Sequence, residues 1–312
     1  MKTSRLTLTC ILLTLLAALP AMAGPRTFVS GLGNDANPGT REQPKRTFAS
    51  ALTVTDPGGE IIVLDSAGYA SSPLTINKAV SIIAPPGLYA GLRIGVNSGI
   101  AVTINAANSD VVVLRGLSLS SSPGLGPTGG INILSAGTVL VENCVLSGFG
   151  QSGISTESLF TSLLVTIKDT LLRQNHGSGI SLGRSGTAIS AMIERCRMEE
   201  NNATGVTIKD ATKAIVRDSV SMRNFQSGLA ASGSGALMNV ENCVASQNGS
   251  IGIVASGNSI VRVSNSTATD NGSGGLANAG GTFFYSRGNN TVHGNGNGTF
   301  DTSGTITPLS GK

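Results

Sequence analysis

VENCVLSGFGQSGI, residues 141–154, decides the fold, because five further stretches repeat it. They are IKDTLLRQNHGSGI at 167–180, IERCRMEENNATGV at 193–206, VRDSVSMRNFQSGL at 216–229, VENCVASQNGSIGI at 240–253 and VSNSTATDNGSGGL at 263–276. With Cys144, Thr170, Cys196, Ser219, Cys243 and Ser266 as equivalents, the spacings are 26, 26, 23, 24 and 23 residues. A period of this length marks a solenoid, in which no copy buries its own apolar face and stacked neighbours do so together.

Within a copy, apolar and polar residues alternate over three to five positions before a break rich in Gly, Asn and Ser. That is a strand period, and the segments are too short and too β-branched for helices. The repeat therefore predicts a coil of short parallel strands, one turn per copy, with equivalent residues stacked about 4.8 Å apart.

Stacking gives each column a physical meaning. Five positions after the Cys/Ser/Thr column stand Asn175, Asn201, Asn224, Asn248 and Asn271, with Phe149 in the first copy. Asn tolerates left-handed backbone at a turn, and stacked amides can bond one another, so an asparagine ladder is expected. Two positions before that column, Glu142, Lys168, Glu194, Arg217 and Glu241 alternate in sign, as a surface pairing ladder would. Gly153, Gly179, Gly205, Gly228, Gly252 and Gly275 each precede an aliphatic residue. The cysteines Cys144, Cys196 and Cys243 fall in alternate turns, about 9.6 Å apart, beyond the roughly 7 Å Cα limit for a disulfide. Free buried thiols are expected, in a column whose other members are also small.

These ladders, with TFVSGLGNDANPGT at 27–40 and TFASAL at 47–52, resemble the secreted right-handed β-helix proteins of the pectate-lyase-like superfamily. The resemblance runs from that opening through GGEIIVLD at 58–65 to NNTVHGNG at 289–296. It implies an all-β fold, a right-handed parallel β-helix with an N-terminal capping segment, and says little of activity. The expected organisation is a signal peptide at 1–23, a cap at 24–56, a β-helix of eight or nine turns at 57–300 and a tail at 301–312. Lys2 and Arg5, the apolar run Leu6 to Leu19 and Ala21-Met22-Ala23 carry the signal reading. Removing that segment leaves 19 Lys and Arg against 17 Asp and Glu, which gives no electrostatic case for nucleic acid. No other run is long enough to span a membrane. Asp35 and Asn37 could hold calcium, but the loop has one carboxylate, and turn formation and capping account for it.

Enzymes of this superfamily usually act on acidic polysaccharides, and that chemistry needs clustered carboxylates with an Arg or Lys base, or two carboxylates across the scissile bond. The chain has no AspAsp pair, His176 lies in AsnHisGly where related hydrolases have GlyHisGly, and there is no Trp. One patch stands out: Asp169, Arg173, His176, Arg195, Arg197, Glu199, Glu200 and Arg223 fall in nearby columns of successive copies. Sharing one face, they could bind an anionic glycan; as a charged rim, they would only solvate the surface. Arg184, Lys209 and Lys213 form a second basic group, and the insertion at 120–130 could wall a groove. The leading expectation is a non-catalytic secreted, periplasmic or envelope protein that presents a β face to a polysaccharide or a cell-surface partner. The alternative is a polysaccharide lyase or related enzyme. Catalytic residues stay unassigned, and neither a cofactor nor a metal is expected.

Overall fold

The computed structural model describes residues 25–70, 73–95, 99–121, 128–156, 162–183, 188–298 and 300–309; the expected signal segment lies outside them. Three parallel sheets run the length of the molecule. Sheet 1 has 12 strands, from Arg26–Val29 through Gly59–Val63 to Thr307–Pro308. Sheet 2 has 10, from Ala67–Ala70 to Thr291–His293, and sheet 3 has 10, from Leu74–Ile76 to Thr302–Ser303. The chain visits sheets 1, 2 and 3 in that order on every turn, which makes nine full turns and a short tenth. Turn 1 is counted from Gly59. Strands at 302–303 and 307–308 carry the coil beyond residue 300, into the segment expected as a tail.

Alternation explains the core. In Thr138–Glu142, Val139 and Val141 point inward while Thr138, Leu140 and Glu142 point out. Register then stacks Val141, Ile167, Ile193, Val216, Val240 and Val263 in one buried column and Ile154, Ile180, Val206, Leu229, Ile253 and Leu276 in another. No single turn could bury these side chains alone.

Between sheets 2 and 3 runs the asparagine ladder. Asn224 Nδ2 donates to Asn248 Oδ1 at 3.0 Å, and Asn224 Oδ1 accepts from Asn201 Nδ2 at 2.9 Å and from the Asn201 backbone N–H at 3.1 Å. Asn175, Asn201, Asn248 and Asn271 repeat the pattern, and Asn295 extends it by one turn. Phe149 closes the lower end, and Asp301 closes the upper end by accepting from Asn295 N and Nδ2 at 3.1 and 3.0 Å. The left-handed backbone expected at the ladder lies one residue earlier, at Gln174, Glu200, Arg223, Gln247 and Asp270. The reason is steric division of labour: the exposed residue takes the turn so that the next side chain can enter the core. The glycine column serves the same ladder. A Cβ on Gly228 would sit 2.6 Å from Gly252 O and 2.9 Å from Asn248 Nδ2.

The three cysteines are free and buried, as their register implies. Each Cys backbone N–H finds the hydroxyl of the next turn: Cys196 N donates to Ser219 Oγ at 3.1 Å and Cys243 N to Ser266 Oγ at 3.1 Å. Burial pushes the thiols of Cys144 and Cys196 up to about 12 and that of Cys243 up to about 11.

At the N-terminal end, helix α1, Phe48–Val54, buries Phe48, Ala51 and Leu52 over the first turn. Asp35 fixes its start, accepting from the backbone N–H of Arg46 and Thr47 at 2.9 Å each and from Thr47 Oγ1 at 3.0 Å. Burial alone would raise the Asp35 carboxyl, but the hydrogen bonds from Thr47 and Arg46 outweigh it and hold it below the ordinary range. The carboxylate is thus committed to the cap.

Candidate functional site

Sheet 2 strands are three residues long in turns 4 to 9, so the first and third side chains of each face solvent between two tight corners. This places Arg173, Arg197 and Glu199 on the outer face, Asp169 and Arg195 on one corner, and Glu200 and Arg223 on the other. His176 lies past the second corner, where its Nδ1 is 3.3 Å from Asn202 Nδ2, so it does not join the face.

Within the patch the charges answer one another. Arg195 donates Nε to Asp169 Oδ1 at 2.7 Å and Nη2 to Oδ2 at 2.9 Å, and its Nη1 bonds Glu194, which Arg217 also meets at 3.1 Å. Hydrogen bonding from Arg195 holds the Asp169 carboxyl below the ordinary range, and Asp169 in turn raises the guanidinium. Arg197 meets Glu199 at 2.9 Å; Glu200 takes Gln174 at 3.1 Å and Arg223 at 3.3 Å. Every patch carboxylate therefore faces a cation or an amide. Such exposed pairs contribute little to stability and act mainly to set the surface pattern.

A second site comes from sheet 1 and was not singled out in the sequence. One outward column of that sheet reads Val113, Leu140, Thr166, Met192 and Ile215, then turns polar at Asn239, Arg262 and Tyr285. The change of character at turn 8 was the available signal. Around it lies a depression of about 510 Å³ lined by Asn239, Glu241, Arg262, Asn265, Arg287 and Asn289, with Leu309 at its rim. Arg262 Nη1 donates to Asn239 Oδ1 at 3.4 Å, and its guanidinium lies 5.8 Å from the Tyr285 ring centre. The Phe283 and Tyr285 rings stack at 5.4 Å and 22°. Arg287 is exposed and makes no ion pair among the described residues. Two guanidinium groups and several amides thus line a concavity that holds one carboxylate, Glu241, and Arg262 also faces the neighbouring Tyr285 ring from that lining.

Of the other basic group, Lys209 ends a sheet 3 strand and Lys213 is the second residue of a sheet 1 strand on the far side of a corner; Arg184 lies outside the described residues. The same is true of 122–127 in the expected insertion. Among the described residues no three His, Cys, Asp or Glu side chains gather as a metal site would need, and no helix is long and apolar enough to cross a membrane.

Comparison with known proteins agrees with this architecture. The family described as "Right handed beta helix region" matches residues 184–296. Pectate lyase Pel9A superposes with a TM-score of 0.61 at 16% identity, covering 85% of this chain and 72% of its own. The mannuronan C-5 epimerase AlgE4 A-module of Azotobacter vinelandii gives 0.57 at 15% identity, covering 77% and 70%. No curated protein matches at the sequence level. Identities this low carry the fold and not the activity. The chain is a right-handed parallel β-helix, the fold it shares with these two enzymes.

Proposed function

We propose that this protein is a non-catalytic, exported glycan-binding β-helix that holds an acidic polysaccharide against the depression at turns 8 to 10 of sheet 1. The observation that carries the reading is that Arg262 and Arg287 line the depression with a single carboxylate, Glu241, while Arg262 also lies over Tyr285 of the neighbouring Phe283–Tyr285 stack. Guanidinium groups recognise carboxylates in bidentate fashion, and an aromatic face supports a sugar ring. Hydrolysis by the usual route needs a second carboxylate, and a cation-dependent elimination needs several. The ion-paired face of sheet 2, with Arg173, Arg197 and Arg223 on successive turns, offers further polar contacts to a long ligand. Likeness to a pectate lyase and a mannuronan epimerase supports the choice of acidic polysaccharide as the ligand to try. The signal-like first 23 residues support export to the periplasm or beyond.

The test is to titrate oligogalacturonate and oligomannuronate into the purified protein while following unsaturated product by ultraviolet absorbance and reducing ends chemically. Saturable binding, lost in Arg287→Ala and unaccompanied by product, is expected. Turnover that disappears in Glu241→Gln would overturn the non-catalytic reading in favour of a polysaccharide lyase or hydrolase.

A further inference from the structure

We infer that two copies of this chain associate face to face through the exterior of sheet 1 at turns 3 to 8. Across these turns the two outer columns beside the charged one expose Leu140, Leu164, Met192, Ile215 and Leu237, with Lys213 the single charged residue among them, and Leu164 and Ile215 remain 48% and 40% exposed. A shallow apolar depression of about 320 Å³ lies among Leu164, Met192, Ile215 and Leu237. An apolar stripe of this kind on a solvent face marks an interaction surface.

The charge column beside it names the partner. From turn 3 to turn 8 it reads Arg115, Glu142, Lys168, Glu194, Arg217, Glu241, in register on adjacent strands. A two-fold axis parallel to the strands sets each column opposite itself and reverses the order of turns. With the axis between turns 5 and 6, Arg115 opposes Glu241, Glu142 opposes Arg217 and Lys168 opposes Glu194, so every facing pair is of opposite sign. The same operation sets Leu140 against Ile215. An axis through a turn would set like charge on like, and a two-fold along the solenoid would lay charges on the apolar column. The alternating ladder is thus complementary to itself in one family of registers, as an isologous interface requires. Glu241, which makes no ion pair within the chain among the described residues, gains one with Arg115, and Lys168 approaches Glu194, a buried carboxylate that Arg195 and Arg217 already engage. The apolar stripe and the ladder cover the same six turns; they share Ile215, Asn239 and Glu241 with the edge of the depression, whereas Arg262, Tyr285 and Arg287 lie beyond them.

Six turns about 4.8 Å apart and strands of five residues at about 3.3 Å give a footprint on the order of 450 Å² per copy. Twice that falls just below the size of most stable interfaces, so a micromolar dimer is expected. Sedimentation velocity of the purified protein from about 1 to about 300 μM covers the range in which such an interface dissociates. Glu241→Lys and Arg115→Glu should each weaken the dimer at least about tenfold, and the double variant should restore it. Ile215→Gln, which changes no charge, should weaken it as well, and serves if a charge variant fails to fold. A protein that stays monomeric throughout, single variants that dimerise like the parent, or a double variant no better than the singles would each overturn the proposal. Glycan binding is read separately through Arg287→Ala, which leaves this interface intact.

Discussion

Replacing Asn224 by Ala tests the ladder at its middle. Asn224 Oδ1 is the acceptor for two buried donors of the turn below, the Asn201 backbone N–H at 3.1 Å and Asn201 Nδ2 at 2.9 Å. The amide nitrogen retains Leu172 O at 3.1 Å, but the backbone N–H keeps no other partner. An orphaned buried donor costs about 1–3 kcal/mol, so one lost completely and one in part, with the small void left by the side chain, give about 2–5 kcal/mol. That is a large share of the total for a folded domain, roughly 5–15 kcal/mol. Guanidinium denaturation with linear extrapolation would measure it, with Gln174→Ala on the exposed corner as the control expected to change little. Hydrogen exchange should accelerate first around Asn201, because solenoid stability is local and propagates through neighbours. A loss below about 1 kcal/mol, or exchange unchanged at Asn201, would refute the claim that the ladder holds the corner.

Three further outcomes follow from the same geometry. Gly228→Ala should destabilise by about 1–3 kcal/mol through overpacking, read as a lower melting temperature, since its Cβ would meet Gly252 O at 2.6 Å. Native protein at pH 8 should take up no alkylating reagent at Cys144, Cys196 or Cys243, because thiols pushed up to about 12, 12 and 11 hold almost no thiolate, and unfolding should expose all three to mass-spectrometric detection. Hydrogen bonds from Asn295 hold the Asp301 carboxyl below its ordinary range, so its stabilising share is present above the unfolded value, near 3.9, and fades as pH falls through the lower folded value. Denaturation midpoints of Asp301→Asn and the parent should therefore converge as pH is lowered through that window.

Much of the fold is legible in the repeat because stacking converts a sequence column into a spatial one. The asparagine, glycine and Cys/Ser/Thr columns were readable for that reason, and so were the free thiols of Cys144, Cys196 and Cys243. Asp301 was not, since it stands six positions after Asn295, beyond the 3-10 turn Gly296–Gly298, and no period points to it. Left-handed backbone was expected at the ladder asparagines and sits one residue earlier, because side-chain preference alone does not say which neighbour of a corner turns inward. The site divided in the same way. Proximity of Asp169, Arg195, Arg197, Glu199, Glu200 and Arg223 could be read from spacing, whereas their mutual neutralisation depends on side-chain direction at the corners. His176 fell outside because it lies two residues past the left-handed corner at Gln174, beside Asn202. The depression at Arg262 and Arg287 emerges from one column's change of character, and from a rim residue, Leu309, far along the chain.

Isothermal titration calorimetry of oligogalacturonate and oligomannuronate against the parent, Arg262→Ala and Arg287→Ala, with the recovered ligand analysed for chain length and unsaturation, bears most directly on the central claim. Saturable heat with the parent, a loss of at least about tenfold in affinity with either variant, and ligand recovered unchanged are the results predicted for charge-assisted binding without catalysis. Shortened, unsaturated or epimerised ligand, or affinity indifferent to both arginines, would contradict it.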